Sequence, residues 1–243
     1  MQKVCIVIPC YNEANRLPVN DFIGFFNLNS HIHFCFVNDG STDNTSQILN
    51  EQLGTKFDNV SILDLQSNVG KAEAIRIAVN ECLQKSQCNY IGYFDADLAT
   101  PLTEIDYLIS QIKTNTSFKV AIGARVQRMG VNISRNIVRH YFGRVFATCA
   151  SYVLHVPIYD TQCGAKIFDA DLAVKIFTTP FISKWLFDVE IVARILKLQH
   201  EYPNAIIEVP LRVWSEVKGS KIKLKDVIKI PFQLLKIKGK YNL

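Results

Sequence analysis

The sequence lacks the features that mark several classes of protein. Its 7 cysteines are scattered and include no CxxC pair, which argues against a cysteine metal site and predicts reduced thiols in a cytosolic compartment. The longest apolar run, near Val145 to Leu154, is too short to cross a bilayer. Met1 opens almost directly into strand-like sequence, so no signal peptide is indicated. We therefore expect a cytoplasmic protein, either soluble or bound at a membrane surface.

The composition is that of an ordinary globular protein. Hydrophobic residues make up 49% of the 243 residues and charged residues 20%, a balance that excludes a disordered chain. The length suffices for one sizeable α/β domain. A net charge of +5 is compatible with a phosphate-bearing or anionic-surface partner without requiring one, and we predict no nucleic-acid partner.

Short apolar runs alternate with amphipathic segments through the first half of the chain. This alternation predicts a mostly parallel sheet with helices on both faces, in a single α/β domain. Pro9 is expected to end the first strand, a helix is expected from the Ser41–Asp43 region through about Leu53, and another is expected from Pro101. The predicted strands are Val4 to Ile8, Phe34 to Val37, Val60 to Leu65, Tyr90 to Phe94 and Val120 to Gly123.

Two carboxylates separated by one residue, Asp95 and Asp97, follow the fourth predicted strand. In extended chain such residues project to the same side, and two like charges held close repel. A divalent cation removes that repulsion, and hard oxygen ligands suit Mg²⁺ or Mn²⁺. The alternative is a solvated turn with Asp97 near a helix N-cap.

Asp39 and Lys71 stand at two further junctions. Asp39 follows the second predicted strand, where ligands bind in open α/β sheets; it is either a turn residue or a ligand of a base or ribose. Lys71 stands in the first turn of a predicted helix, where the helix dipole disfavours a cation. It is therefore either an exposed surface lysine or part of a phosphate site.

The alternation of strand-like and helix-like segments ends near Gln127, where five arginines lie within a short stretch of sequence. Arginine suits bidentate phosphate recognition, so the cluster favours anion binding, whereas any single member fits a solvated helix face. Arg135 and Arg139 are four residues apart and are expected on one helical face, and a mobile loop is expected at Val131–Ile133. The cluster comprises Arg125, Arg128, Arg135, Arg139 and Arg144.

Polar and basic segments mark the second half. A polar turn is expected from Asp160 to Lys166, and Asp188 is either a helix N-cap or a functional acid. From Lys221 onward, lysines interleave with apolar residues. Such a segment either lies on an anionic membrane surface or docks as a terminal helix with a basic outer face. Pro231 is expected to interrupt it.

Taken in order, these stretches resemble the family 2 glycosyltransferases of the GT-A fold. The resemblance rests on Ile8–Glu13, Val37–Asp43, Asn68–Lys71 and Asp95–Asp97. Later stretches, at Asp160–Lys166, Phe187–Glu190, Glu208–Trp214 and Gly219–Lys221, resemble the dolichyl-phosphate β-glucosyltransferase branch. The resemblance covers nearly the whole chain and thins after Lys221.

The resemblance implies a role for each matching residue. Pro9, Tyr11, Glu13 and Asp39 would hold the nucleoside, and Lys71 would lie near the ribose or diphosphate of the donor. Asp95 and Asp97 would bind the metal-diphosphate. Arg125, Arg135 and Arg139 would receive the acceptor phosphate. Asp160 stands where a catalytic carboxylate is proposed in relatives, and Gln162 would approach the sugar, so the implied catalytic residues are Asp160, Gln162, Arg135 and Arg139. It also implies residues 1–125 as a nucleotide-sugar half, 126–220 as an acceptor half and 221–243 as a basic tail.

The reaction that this implies is inverting, metal-dependent transfer of glucose from UDP-glucose to a polyprenyl or dolichyl phosphate. Mannosyl relatives often have Leu-Gln-His-Pro after the acidic pair, where this chain has Leu98–Pro101, and Ala165 replaces a usual phenylalanine. A family member with a sugar-hydroxyl acceptor and a non-catalytic nucleotide-sugar-binding module are the alternatives. The sequence leaves the oligomeric state open, and membrane contact would fall to the basic tail.

Overall fold

The structure is a computed structural model that describes residues 3–129, 132–134, 137–217 and 229–242. Its strands are β1 Val4–Cys10, β2 Ile32–Asn38, β3 Val60–Asp64, β4 Tyr90–Phe94, β5 Val120–Ala124, β6 Asn132–Ser134, β7 Ala165–Asp169, β8 Ile206–Pro210 and β9 Val213–Ser215. Its helices are α1 Val19–Leu28, α2 Thr45–Ile48, α3 Lys71–Lys85, α4 Glu104–Ile112, α5 Ile137–Leu154, α6 Ala170–Phe177, α7 Phe187–Lys197 and α8 Ile230–Tyr241, and a π-helical turn, Leu49–Gly54, follows α2.

The chain divides into two compact units, and the first comprises residues 1–98 and 164–180. Its strands lie in the order β3-β2-β1-β4-β7, all parallel to their neighbours except β7, which runs antiparallel to β4. Helix α3 packs on β1, β2 and α6. Because β1, β2 and β4 are parallel, the loops that follow them emerge at one edge of the sheet, which is where α/β proteins bind ligands.

The second unit comprises residues 99–163 and 181–243. Strands β5 and β8 pair in parallel, as do β6 and β9. Helix α4 packs on β5 and β8, and α7 packs on α5 and α8. The buried carboxylate of Glu190 in α7 accepts hydrogen bonds from Arg194 Nη2 and the hydroxyl of Tyr241, both at 2.8 Å, and so ties α8 to α7.

Two sequence predictions about element boundaries are wrong, those at Pro9 and Pro101. Pro9 lies within β1, where it pairs with Val37. This is tolerated because the pairing of β1 with β4 ends at Val7, so no β4 carbonyl lacks a donor at Pro9. The helical segment expected through about Leu53 is confirmed as α2 followed by the π-helical turn, and Asp43 Oδ1 accepts from the backbone N–H of Thr45 at 3.0 Å. Helix α4 begins at Glu104 rather than at Pro101.

Two elements replace predicted loops, and the second half of the chain contains both. Asn132–Ser134, expected within a mobile loop, forms β6 and pairs with β9. Strand β7 begins at Ala165, inside the stretch predicted as a polar turn, and Lys166 in it is fully buried. The charge of Lys166 concealed a strand that also contains Ala165, Ile167 and Phe168, which are apolar and buried.

Helix α8 forms the described part of the basic tail. Pro231 occupies the first turn of α8, where its missing N–H costs nothing, and the interruption of the tail expected at this residue stays a prediction. Leu234 and Ile237 are buried, and α8 is therefore a docked helix. The remainder of the tail, 218–228, lies outside the described residues. Within the described residues no helix combines the length and apolarity that crossing a membrane requires.

Candidate functional site

The acidic pair lies where it was predicted, directly after β4, but its geometry is a turn rather than extended chain. The backbone N–H of Asp95 donates to the carbonyl of Gly164 at 2.9 Å, and that of Leu98 donates to the carbonyl of Asp95 at 3.2 Å. Leu98 has a φ of 49°. The argument that residues two apart in a strand share a face therefore does not apply to Asp95 and Asp97.

Gly164 provides the space that the carboxylate of Asp95 occupies. A Cβ atom at position 164 would lie 1.9 Å from Asp95 Oδ2, so no other residue fits without displacing that carboxylate. The side chain of Asp95 stays 37% exposed, and Lys71 Nζ lies 2.5 Å from its Oδ1. Lys71 and Asp95, which the sequence analysis singled out separately, thus form one ion pair at the start of α3.

Asp39 shapes the loop that leads into α3. Its two carboxylate oxygens accept from the backbone N–H groups of Val69 at 2.7 Å and Gly70 at 2.9 Å. Gly40 has a φ of 60°, and a Cβ there would lie 2.4 Å from the carbonyl carbon of Ser67. The close approach of these two loops therefore requires glycine, and Asp39 fixes the loop from which Lys71 emerges.

The end of β1 carries the remaining residues predicted for the nucleoside. Pro9 lies in the strand, and Tyr11 is half-buried in the turn that follows it. Glu13 is buried; its backbone N–H donates to Thr45 Oγ1 at 2.8 Å, and its carboxylate pairs with Arg16, whose Nη2 lies 2.6 Å from Oε1. Glu13 and Arg16 therefore form an ion pair just after the end of β1.

Arg16 is a candidate site residue that was not predicted from the sequence. Its hydrogen bond to Glu13 raises its pKa, and the nearby negative charges of Asp97 and Asp95 act in the same direction, against the effect of burial. Arg16 thus lies within electrostatic reach of the acidic pair. The sequence signal that could have identified Arg16 was its three-residue spacing from Glu13, which permits a side-chain pair within one turn.

In the second unit, Asp160 and Arg125 form a buried ion pair. Arg125 Nε lies 2.6 Å from Asp160 Oδ2 and Nη2 lies 2.8 Å from Oδ1, while the backbone N–H of Arg125 donates to Oδ2 at 3.1 Å. The guanidinium also lies over the ring of Trp214, 5.4 Å from its centroid. Both oxygens of Asp160 are therefore engaged by a residue that the sequence assigned to the acceptor phosphate.

Glu208 holds the backbone that carries Asp160. Its carboxylate oxygens accept from the N–H groups of Tyr159 and Asp160, both at 2.8 Å. Burial raises the pKa of Glu208, and these two hydrogen bonds oppose that effect. Arg144 donates to the carbonyl of Tyr159 at 3.0 Å and lies over its ring at 3.8 Å. Glu208 was not among the predicted site residues, and Arg144 was predicted only as a member of the arginine cluster.

Three other predicted site residues are described to different extents. Gln162 lies in the loop before β7, and its Nε2 is buried with no hydrogen-bond partner among the described residues. Arg135 lies outside the described residues, and for Arg139 only the backbone, in α5, is described. The predicted contacts of these two arginines with an acceptor phosphate stay predictions.

The two carboxylates after β4, those of Asp95 and Asp97, suit a small hard cation only if further ligands complete its coordination. No group of three or more histidine, cysteine, aspartate or glutamate side chains suited to a metal occurs among the described residues. Mg²⁺ is commonly bound by one or two carboxylates together with substrate phosphates and water. Asp95 and Asp97 match that arrangement, and the half-exposed carboxylate of Asp95 leaves an oxygen for it.

Comparison with known proteins identifies the family and the fold. A sequence model of glycosyl transferase family 2 matches residues 5–177, and the chain belongs to that family. Two solved structures, each 14% identical in sequence, share its fold. Glucosyl-3-phosphoglycerate synthase from Mycobacterium tuberculosis, in complex with Mn²⁺, UDP and its product, matches 99% of this chain and 80% of its own with a TM-score of 0.69. Mannosyl-3-phosphoglycerate synthase from Rubrobacter xylanophilus matches 98% and 73% with a TM-score of 0.68.

Similar curated proteins include dolichyl-phosphate β-glucosyltransferases. That of Saccharomyces cerevisiae is 33% identical, with 98% of this chain and 75% of the relative covered. The human protein is 28% identical, with 91% and 70% covered. The predictions of the GT-A fold, of family 2 membership with this branch, and of a glycosyltransferase are confirmed. The predicted division at residues 125 and 220 and the individual site roles stay predictions.

Proposed function

We propose that this chain transfers glucose from UDP-glucose to a polyprenyl or dolichyl phosphate, with inversion at the anomeric carbon. The names of its relatives support the lipid-phosphate acceptor. The complex of the M. tuberculosis synthase with Mn²⁺ and UDP-glucose supports this type of donor and metal on the same fold. The proposed place of action is the cytoplasmic face of a membrane.

The donor would bind at the edge of the sheet where β1, β2 and β4 end. Asp95 and Asp97 would hold Mg²⁺ or Mn²⁺, which when bound neutralises charge on the leaving diphosphate. Lys71, now paired with Asp95 at 2.5 Å, would turn to a diphosphate oxygen, since a helix N-terminus with a lysine beside it attracts phosphate. Tyr11 and the pair of Glu13 with Arg16 would border the nucleoside.

The acceptor phosphate needs a site that orients it more than one that deprotonates it. A phosphomonoester has a second pKa of about 6, so it is largely ionised at neutral pH and already nucleophilic. Arginines that fix its oxygens supply that orientation, and this is the proposed role of Arg125, Arg135 and Arg139. The side-chain amide of Gln162, whose Nε2 is buried and has no hydrogen-bond partner among the described residues, would donate to the sugar through that atom.

The observation that carries this proposal is the state of Asp160. Both of its oxygens accept hydrogen bonds from Arg125, so a role as general base would require it to leave a buried ion pair. A hydroxyl acceptor needs such a base, whereas a phosphate acceptor does not. We propose that Asp160 contributes by orienting the guanidinium of Arg125.

The experiment is a transfer assay with Mn²⁺ that offers UDP-glucose or GDP-mannose, each with a polyprenyl phosphate or the matching polyprenol. We expect product from UDP-glucose and the phosphate alone. Arg135→Ala and Arg139→Ala should abolish turnover, and Asp160→Asn should retain far more of it. Arg128→Ala, an exposed arginine of the same segment, is the matched control. Transfer to polyprenol, or the reverse pattern of the variants, would overturn the acceptor, and use of GDP-mannose alone would overturn the donor.

A further inference from the structure

Helix α5 presents a long uncharged face to solvent. The side chains of Tyr141, Phe142 and Tyr152 are 66%, 67% and 76% exposed, and that of Val145 is 64% exposed. Tyr141, Val145 and Tyr152 are spaced by four and seven residues, so they form one stripe, which spans about 16 Å of helix. Clustered exposed aromatic side chains on one helix indicate an interaction surface.

The buried side of α5 already has its own packing. Ala147, Ala150, Val153 and Leu154 are buried, and α5 packs on α7 and α8. The outward stripe is therefore additional to the face that holds the helix in the fold.

Helix α8 repeats this arrangement with lysines beside the apolar residues. Leu234 and Ile237 are buried, whereas Phe232 and Leu235, on the other side of the helix, are 73% and 62% exposed. The lysines at 229, 236 and 240 are exposed and lie along one flank of that outward pair. The outer surface of α8 is thus both apolar and cationic.

Contacts within the second unit join these two surfaces. Lys238 Nζ of α8 lies 3.4 Å from His155 Nε2, just beyond the end of α5, and 5.8 Å from the centroid of the Tyr152 ring. Neither α5 nor α8 contains an aspartate or a glutamate. The outward residues of the two helices, here called the α5–α8 face, therefore combine aromatic and aliphatic groups with positive charge alone.

We propose that the α5–α8 face docks on a bilayer that contains anionic lipids. Tyrosine and phenylalanine side chains are favoured at the boundary between lipid headgroups and acyl chains. Each lysine near an anionic membrane surface adds about 1 kcal/mol of attraction. A second copy of the chain would bring lysines against lysines, so charge complementarity favours lipid. The proposal goes beyond the proposed function, because it names the binding surface and requires neither donor nor acceptor. It also extends the membrane contact predicted for the basic tail, to which α8 belongs, to the folded helix α5.

The test is flotation of the full chain with vesicles of phosphatidylcholine, alone or mixed with phosphatidylserine, without nucleotide sugar or polyprenyl phosphate. We expect binding to the mixed vesicles. Phe142→Ser/Val145→Ser should weaken it by about tenfold or more, and Lys236→Gln/Lys240→Gln by about fivefold per lysine. The matched controls are Leu28→Ser/Val174→Ser, exposed apolar residues of the other unit, and Lys3→Gln/Lys56→Gln, which changes the net charge equally. Thermal melting would verify that each variant folds.

Equal loss of binding in the controls, or no binding of the wild type to the mixed vesicles, would overturn the proposal. Self-association that Phe142→Ser abolishes, without vesicle binding, would assign the face to a second copy instead. A protein that binds vesicles but transfers no glucose would sustain this proposal while the proposed function fails, so the two failures are distinguishable.

Discussion

Arg125 holds both carboxylate oxygens of Asp160, through Nε at 2.6 Å and Nη2 at 2.8 Å. Asp160 is 7% exposed. A bidentate pair of this kind is stable only while both members are present, because removal of one leaves a buried charge without its partner. The pair therefore couples the stability of the second unit to the orientation of a proposed acceptor arginine.

This coupling predicts a non-additive double-mutant cycle. Arg125→Ala should lower the free energy of unfolding by about 3–5 kcal/mol, since it strands the carboxylate of Asp160. Arg125→Ala/Asp160→Ala should cost less than the sum of the two single changes, because the double variant has no stranded charge. Denaturant unfolding of the four proteins measures the difference. Additive losses would show that the two side chains are independent in solution.

The ion pair of Lys71 with Asp95 predicts opposite effects on metal and donor. Lys71→Ala removes a cation that competes for Asp95, so Mn²⁺ without donor should bind up to about fivefold more tightly, the equivalent of an exposed pair worth ~1 kcal/mol. UDP-glucose should bind more weakly, since a phosphate ligand is lost. Calorimetric titration with Mn²⁺ and then with UDP-glucose separates the two. Lys85→Ala, another exposed lysine of α3 with a carboxylate partner, is the control, and weaker Mn²⁺ binding by Lys71→Ala would contradict the prediction.

Gly164 offers a test of the position of Asp95. In Gly164→Ala the new Cβ would lie 1.9 Å from Asp95 Oδ2, so the carboxylate must move and metal-dependent turnover should fall by about 100-fold or more. Gly24→Ala is a matched control, because a Cβ there meets nothing within 4 Å. That control should keep full turnover and gain about 0.5–1 kcal/mol of stability in α1. Normal turnover of Gly164→Ala would show that Asp95 is not held as described.

The carboxyl of Asp64 predicts a pH dependence of stability. Burial raises its pKa, but hydrogen bonds from Asn38, Asn50 and Ser46 outweigh burial and hold the pKa below its ordinary value. A lowered folded-state pKa means that this contribution is present above the ordinary aspartate pKa of about 4 and is lost as the pH falls through the folded value. Unfolding measured from about pH 6 to pH 2 should show a smaller acid-induced loss in Asp64→Asn than in the wild type. The same titration of Asp58→Asn, an exposed aspartate, serves as the control, and identical losses in all three proteins would disprove the prediction.

Local sequence sufficed for much of the first unit. Strands β1 to β4 were predicted because short apolar runs bounded by polar residues are typical of buried strands. Asp39 and Asp95 were singled out because each directly follows a strand, and Lys71 because it begins a helix. Boundaries were less accurate where a residue type misleads, as at Pro9, which is tolerated in β1, and at Lys166, whose charge concealed β7.

The amino-acid order alone established an α/β chain with an acidic pair after β4, because hydrophobic periodicity and turn chemistry act between near neighbours. Only the tertiary structure showed that the carboxylate of Asp95 packs against Gly164, that Arg125 pairs with Asp160 and that α8 packs through Leu234 and Ile237. These contacts join residues far apart along the chain, and no local pattern of residue types encodes which distant partner a side chain will meet.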